Sequence, residues 1–306
     1  MRVRRGITLV ELLVVLGIIV LLIALLLPAI QNVREAGARM ATANKMRQLV
    51  IATHNFACNQ SDFLPRLTGR GSPALPMFIE MMPYLEQDSV YKEFLEATPN
   101  GGANHAINMY LNSSDPSVMS KTESAGHASF AANAQVFVGS KRISNATPDG
   151  TSNTIAFAEH YAVIYNISTD MITQFEWYAL YPKTDQYPSF TRRFHGHRTT
   201  FADNGPFVRQ WYTPSPPETP KTPAYIDVYP VTTSSGTKAS IAGLTFQIRP
   251  TVETADPRIP QTPHASLSVA MLDGSVRWLA RNMSESTFWA AVTPNGGEVL
   301  GLDWDE

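Results

Sequence analysis

Cysteine is almost absent: Cys58 is the single one in 306 residues. An internal disulfide is therefore excluded, and so is a zinc site built from several thiolates. Charge of one sign is not in excess either. The formal net charge of -2 supplies no global field that would draw in nucleic acid. Neither a Walker phosphate loop, nor a dinucleotide-binding glycine loop, nor a nucleophile elbow can be found in the chain. The expectation is a protein that is not an enzyme, takes no cofactor and binds no nucleic acid. The most informative absence is local: from Leu12 to Ile30 no residue is polar.

A helix crosses a bilayer with about 20 mostly apolar residues. Ile7 to Ile30 meets that length, with Glu11 as its one charge. A buried strand is too short to account for the run, and a core helix would carry a polar stripe. Three membrane readings follow from the residues. A cleaved secretory signal would use a site such as Ala36-Gly37-Ala38, but its apolar region is usually about 7–15 residues long. An uncleaved anchor would keep the whole segment. A signal cut ahead of the apolar run would leave the helix on the mature chain. Flanking charge does not choose the orientation, because Arg2, Arg4 and Arg5 on one side face Arg34, Arg39, Lys45 and Arg47 on the other.

The stretch Arg5-Gly6-Ile7-Thr8-Leu9-Val10-Glu11-Leu12-Leu13 resembles the type IV prepilin motif. The resemblance implies cleavage between Gly6 and Ile7 by a membrane prepilin peptidase at the cytoplasmic face, followed by N-methylation of Ile7. Ile7 stands where that family usually has phenylalanine. Glu11 falls at the family's acidic position, where it is expected to pair with the new amine of a neighbouring pilin-like subunit. The chemistry is coherent: a carboxylate inside hydrocarbon is costly and marks a functional position by default. The implied location is the bacterial inner membrane, with the N-terminus cytoplasmic and the globular part extracytoplasmic.

Past Ile30, Val33, Ala36, Met40, Ala43, Val50 and Ala57 recur at helical spacing. One helix from Ile7 to about Ala57 is predicted, kinked at Pro28. The expected fold is α+β: a long pilin-like N-terminal helix, transmembrane then amphipathic, packed on a mainly antiparallel sheet. The expected division is a leader over 1–6, a transmembrane half over 7–30, an amphipathic half over 31–58 and a globular domain over 59–306. Within the domain, Pro76 to Leu95 reads as two short helices broken at Pro83. Ser129–Val138, Thr154–Tyr165 and Thr173–Tyr181 read as strands, and Thr213 to Pro223 reads as a proline-rich loop.

Ala265 to Leu272 and Ser275 to Ala280 read as the two strands of a hairpin turned by Asp273-Gly274, a pair favoured in two-residue type I′ turns. That turn predicts Met271 opposite Val276 and Val269 opposite Trp278, on the face meeting the helix. Pro263-His264, the strand, and Asp273-Gly274-Ser275-Val276-Arg277 together resemble the C-terminal signature of the DUF1559 family, planctomycete-type prepilin-processed proteins. Pro83-Tyr84-Leu85-Glu86-Gln87, Asp149-Gly150-Thr151-Ser152-Asn153-Thr154-Ile155 and Asn295-Gly296-Gly297-Glu298-Val299 resemble it as well. His264, Asp273 and Gly274 are thus structural signature residues, with His264 expected to anchor a turn.

Remaining candidates for chemistry are weak. His195 and His197 would share a face of a strand, with His160 and His264 elsewhere, but Arg192, Arg193 and Arg198 would repel a cation. Asp303, Asp305 and Glu306 give too few oxygens for calcium and read as a solvated end. The expected function is a pseudopilin-like structural subunit of a type II secretion or type IV pilus-like system. The alternative is a membrane-anchored extracytoplasmic module that binds a solute or glycan.

Overall fold

The computed structural model describes residues 9–67, 75–96, 105–118, 126–139, 141–166, 171–176, 193–198, 200–201, 245–256 and 259–304, with backbone alone at 165–166, 171–176, 193–198 and 200. The predicted Thr213 to Pro223 loop lies outside them. The chain divides into two compact units, Met1–Ala41 and Thr42–Glu306.

The first unit is the N-terminal stretch of helix α1, Leu9–Asn59. At 51 residues α1 is about 75 Å long. Pro28 sits inside it without ending it. The described residues of this unit are not buried, and its large apolar side chains, from Leu9 to Met40, are exposed. Its ion pair, Glu35 with Arg39 at 3.6 Å, joins half-open side chains one turn apart and contributes little.

The second unit begins where α1 acquires a buried face. Thr42, Ala43, Met46, Leu49, Val50, Ala52, Thr53, Phe56 and Ala57 are all buried. Of the face predicted from spacing, Ala43, Val50 and Ala57 are covered, whereas Val33 and Met40 are exposed. Short helices α2 (Met77–Glu80) and α3 (Asp88–Glu96) flank a 3-10 turn at Met82–Leu85 that contains Pro83. The expected break at Pro83 is therefore present.

The central sheet contains β1 (Phe130–Asn133), β2 (Ile155–Glu159), β6 (Thr200–Phe201), β9 (Leu267–Met271) and β10 (Val276–Leu279), in the order β10-β9-β2-β1-β6. It is antiparallel except where β6 joins β1. Strands β3 (Val163–Asn166), β4 (Met171–Glu176) and β5 (Arg193–Arg198) form a second sheet, with β4 and β5 parallel. Strands β7 (Gln247–Ile248) and β8 (Gln261–Thr262) pair separately. The predicted Ser129–Val138 strand is shorter than expected, because Asn133 accepts from the Gln135 amide and caps helix α4, Ala134–Phe137. A further short helix, α5, covers Ile143–Ala146. The fold is α+β, a long N-terminal helix followed by a mainly antiparallel sheet.

Both faces of the sheet are covered. One packs Phe130, Ala132, Phe157, Ala270 and Leu272 against Met46, Leu49, Val50 and Ala52 of α1. The other packs Ala131, Ala158, Val269 and Met271 against Phe288, Trp289, Ala291 and Val292 of α6, Glu285–Val292. A strand covered twice loses its polar alternation, which is why all five residues of β9 are buried.

The hairpin register differs from the predicted one. Val276 lies opposite Ala270 and Trp278 opposite Ser268. The connection is a three-residue loop: Gly274 N–H donates to Met271 O at 3.0 Å and Met271 N–H to Ser275 O at 2.9 Å. A type I′ turn needs positive φ at both central residues, and of Asp273 and Gly274 only Gly274 has it, at 89°. Asp273 instead accepts from the Ser275 amide and hydroxyl at 2.8 and 2.7 Å. A one-residue slip exchanges the faces. Ala270 and Leu272 therefore meet α1, while Trp278 is 47% exposed.

Candidate functional site

Glu11 lies in the first turn of α1 and is exposed. Gly6 and Ile7 lie outside the described residues. The most apolar 18-residue window of α1 has a mean hydropathy of 3.3, and none of it is buried within the protein. By length and composition this helix can cross a membrane.

The signature stretches converge. Asp149 accepts from Gly296 N–H at 2.8 Å and from Gly297 N–H at 3.1 Å, one on each carboxylate oxygen. Leu272 N–H donates to Thr154 O at 3.0 Å, and Asp273 N–H to Thr151 O at 3.1 Å. The Asp149–Thr154 turn thereby ties the hairpin loop to the Gly296-Gly297 segment. Helix α1 joins the same knot: His54 Nε2 is 2.7 Å from Leu272 O, and Arg47 Nε donates to Gly274 O at 3.4 Å. Backbone groups at the sheet end are satisfied by residues far apart in sequence, a structural task.

His264 is buried, and its backbone amide donates to Thr262 Oγ1 at 3.1 Å. His160 is buried too, with Nδ1 2.7 Å from Tyr161 O. His195 and His197 occupy alternate positions of β5, opposite Thr173 and Phe175 of β4. Among the described residues, no three of His, Cys, Asp or Glu are grouped to hold a metal ion.

Asp303 is partly exposed, but its carboxylate is engaged by the protein. Its carboxylate accepts from Ser284 N–H at 2.6 Å and Thr287 Oγ1 at 2.5 Å, at the start of α6. These bonds, the Thr287 hydroxyl first, lower its carboxyl to about 2. Ser284 itself caps α6 by accepting from Thr287 N–H. The carboxylate supports that cap and faces the positive end of the helix. Asp305 and Glu306 lie outside the described residues.

Two buried carboxyls went unnoticed in the sequence. Asp115 and Glu159 are 5% and 1% exposed. Asp115 accepts from Ser117 N–H and Oγ at 2.9 and 2.6 Å, from Ser129 Oγ at 2.7 Å and from Ala162 N–H at 2.9 Å. Glu159 accepts from Asn112 Nδ2 at 3.4 Å and Ser268 N–H at 3.3 Å. Burial raises both, and the nearby Asp115 charge adds to the rise of Glu159, which is pushed up to about 7. The available signal was the Ile155–Glu159 run, IAFAE, in which a charge closes an otherwise apolar strand.

Residues 31–142 match the model of a family described as a protein of unknown function, DUF1559. Over that stretch the chain is similar to the DUF1559 family. The matched part runs from the middle of α1 through α2, α3, β1 and α4. The Asp149 turn, the hairpin and the Gly296-Gly297 segment lie beyond it. No curated protein and no solved structure matches the chain.

Proposed function

We propose that this protein is a pseudopilin-like structural subunit, anchored in the bacterial inner membrane by the N-terminal stretch of α1. Cleavage after Gly6 and N-methylation of Ile7 by a prepilin peptidase would leave that stretch on the mature chain. The system it serves would be of the type II secretion or type IV pilus-like kind, with the globular domain extracytoplasmic. The observation that carries this reading is the change along α1. From Leu12 to Ile30 it presents apolar side chains on every side, while its last turns are buried in the domain. A helix apolar all round requires an apolar surrounding, which a bilayer and neighbouring helices supply.

Glu11 is the residue with a specific role. In a low-dielectric bundle it would neutralise the Ile7 amine of an adjacent subunit and set the helix register. Crosslinking of the full chain in membranes tests this. Wild type is expected to give a ladder of multimers, and Glu11→Ala to remain in the membrane fraction as a monomer. A Glu11→Ala ladder equal to wild type would overturn the assembly role.

A further inference from the structure

We propose that Asp115 and Glu159 are an interacting buried pair in which Asp115 carries the negative charge and Glu159 is a neutral acid, so that loss of the Glu159 proton at alkaline pH loosens the join between α1, the 112–118 segment and β9. The inference is independent of the anchoring and assembly reading above.

The donors around each group assign the charge. The four bonds to Asp115 span 2.6 to 2.9 Å and include two hydroxyls and two backbone amides. The two hydroxyl bonds, at 2.6 and 2.7 Å, are as short as those of an ionised acceptor. The Asn112 and Ser268 N–H bonds to Glu159 are longer, 3.4 and 3.3 Å, with the Thr262 and Ser268 hydroxyls as further partners, so Glu159 is the less tightly held of the two carboxyls once out of water. Two buried carboxylates close enough to interact do not both ionise readily, and the less solvated one keeps its proton. Asn112 Nδ2 and Ser268 N–H can only donate. The Thr262 hydroxyl is a further hydrogen-bond partner of Glu159, and a hydroxyl can also accept from the acid form.

The same contacts give the pair a mechanical consequence. Thr42 of α1 donates to Asn112 Oδ1 at 3.2 Å, Asn112 donates to Glu159, and Ser268 of β9 donates to the other Glu159 oxygen. Lys45 secures the same segment by donating to Asn108 O at 2.7 Å and Leu111 O at 2.8 Å. The other titratable groups around the pair are buried His160 and Tyr161 after β2, His127 before β1 and His264 after β8. β9 contributes none. Lys45, on α1, is engaged by the carbonyls just named, and burial lowers its ammonium.

The direction with pH follows from a carboxyl raised from the ordinary 4.5 to about 7 in the folded protein. Its contribution to stability is complete at acid pH and is lost as pH rises through about 7. Asp115, also raised by burial, acts in the same direction.

Infrared spectroscopy and thermal unfolding of the full chain in detergent micelles, from about pH 6 to about pH 8.5, test the pair. Wild type is expected to show a protonated-carboxyl carbonyl band at the acid end that disappears toward the alkaline end. The unfolding midpoint should fall by about 5 °C over that range. In Glu159→Gln, which mimics the neutral acid, the band should be missing and the midpoint flat. A wild type without the band at the acid end overturns the proposal. So does a Glu159→Gln protein that retains the band, or one whose midpoint falls as wild type's does. Loss of the band in Asp115→Asn but not in Glu159→Gln would reverse the assignment and overturn it equally. Absence of the wild-type band at the acid end overturns the proposal even if a variant fails to fold.

Discussion

Leu16, Leu22 and Leu26, on the N-terminal stretch of α1, are 54%, 51% and 56% exposed, whereas Leu49 on its C-terminal stretch is fully buried. The residue type and the backbone are the same, so the difference lies in the surroundings. Near Leu49 the domain supplies Phe78, Tyr110 and Phe157, whose rings meet edge to face at 5.1 and 6.4 Å from Phe78. Among the described residues no such partner covers Leu22. The first stretch has the exposure and hydropathy of a membrane anchor or signal, and the second is specified by shape-matched packing inside the domain. Mutations should separate the two.

The largest expected effect on stability is Leu49→Ala. A buried leucine cut to alanine costs about 2–5 kcal/mol, read as a lowered denaturation midpoint of the full chain in micelles. Leu22→Ala should leave that midpoint unchanged. Equal losses at both positions would break the comparison. Leu22→Arg probes the other stretch: an arginine at the centre of a spanning helix raises the insertion cost by about 2.5–3.5 kcal/mol. The fraction sedimenting with membranes should drop while the domain still folds. An unchanged membrane fraction would show that this stretch needs no bilayer.

A middling effect is expected from Asp149→Ala, which leaves the Gly296 and Gly297 amides without their carboxylate. Both amides are exposed and can turn to water, so the loss should be about 0.5–1.5 kcal/mol, and amide exchange should quicken at both glycines. Slow exchange there would mean that the knot holds without Asp149. The smallest effect belongs to Asp303. Its carboxyl is lowered from 3.8 to about 2, so its stabilisation is present above the ordinary value and is lost as pH falls toward 2. Asp303→Asn should flatten the acid limb of the unfolding midpoint in that window alone. An acid limb identical to wild type would discount the support for α6.

The same contrast explains what could be read from the chain. The Leu12 to Ile30 run, the long helix and the Pro83 break were legible because each rests on local chemistry: hydropathy, period or a missing amide hydrogen. The hairpin was legible in place but not in register. Asp-Gly serves both a two-residue and a three-residue loop, and backbone φ, not residue type, separates them. The start of burial at Thr42 was illegible, because Val33 and Met40 fit the apolar period as well as Ala43 and Val50 do. Asp115 and Glu159 were hidden for a different reason. Their partners, Ser129, Ala162 and Ser268, are assembled by tertiary contact alone. Asp303 was misread because its donors, Ser284 and Thr287, lie 19 and 16 positions upstream.

The account's central claim, that the first stretch of α1 is an N-terminally processed membrane helix, is tested most directly by mass spectrometry of the mature N-terminus. Protein expressed with a prepilin peptidase and recovered from membranes should begin at Ile7 and carry an N-methyl group. A mature chain that retains Met1, or one that begins at Arg39 after a conventional signal cut, would contradict it.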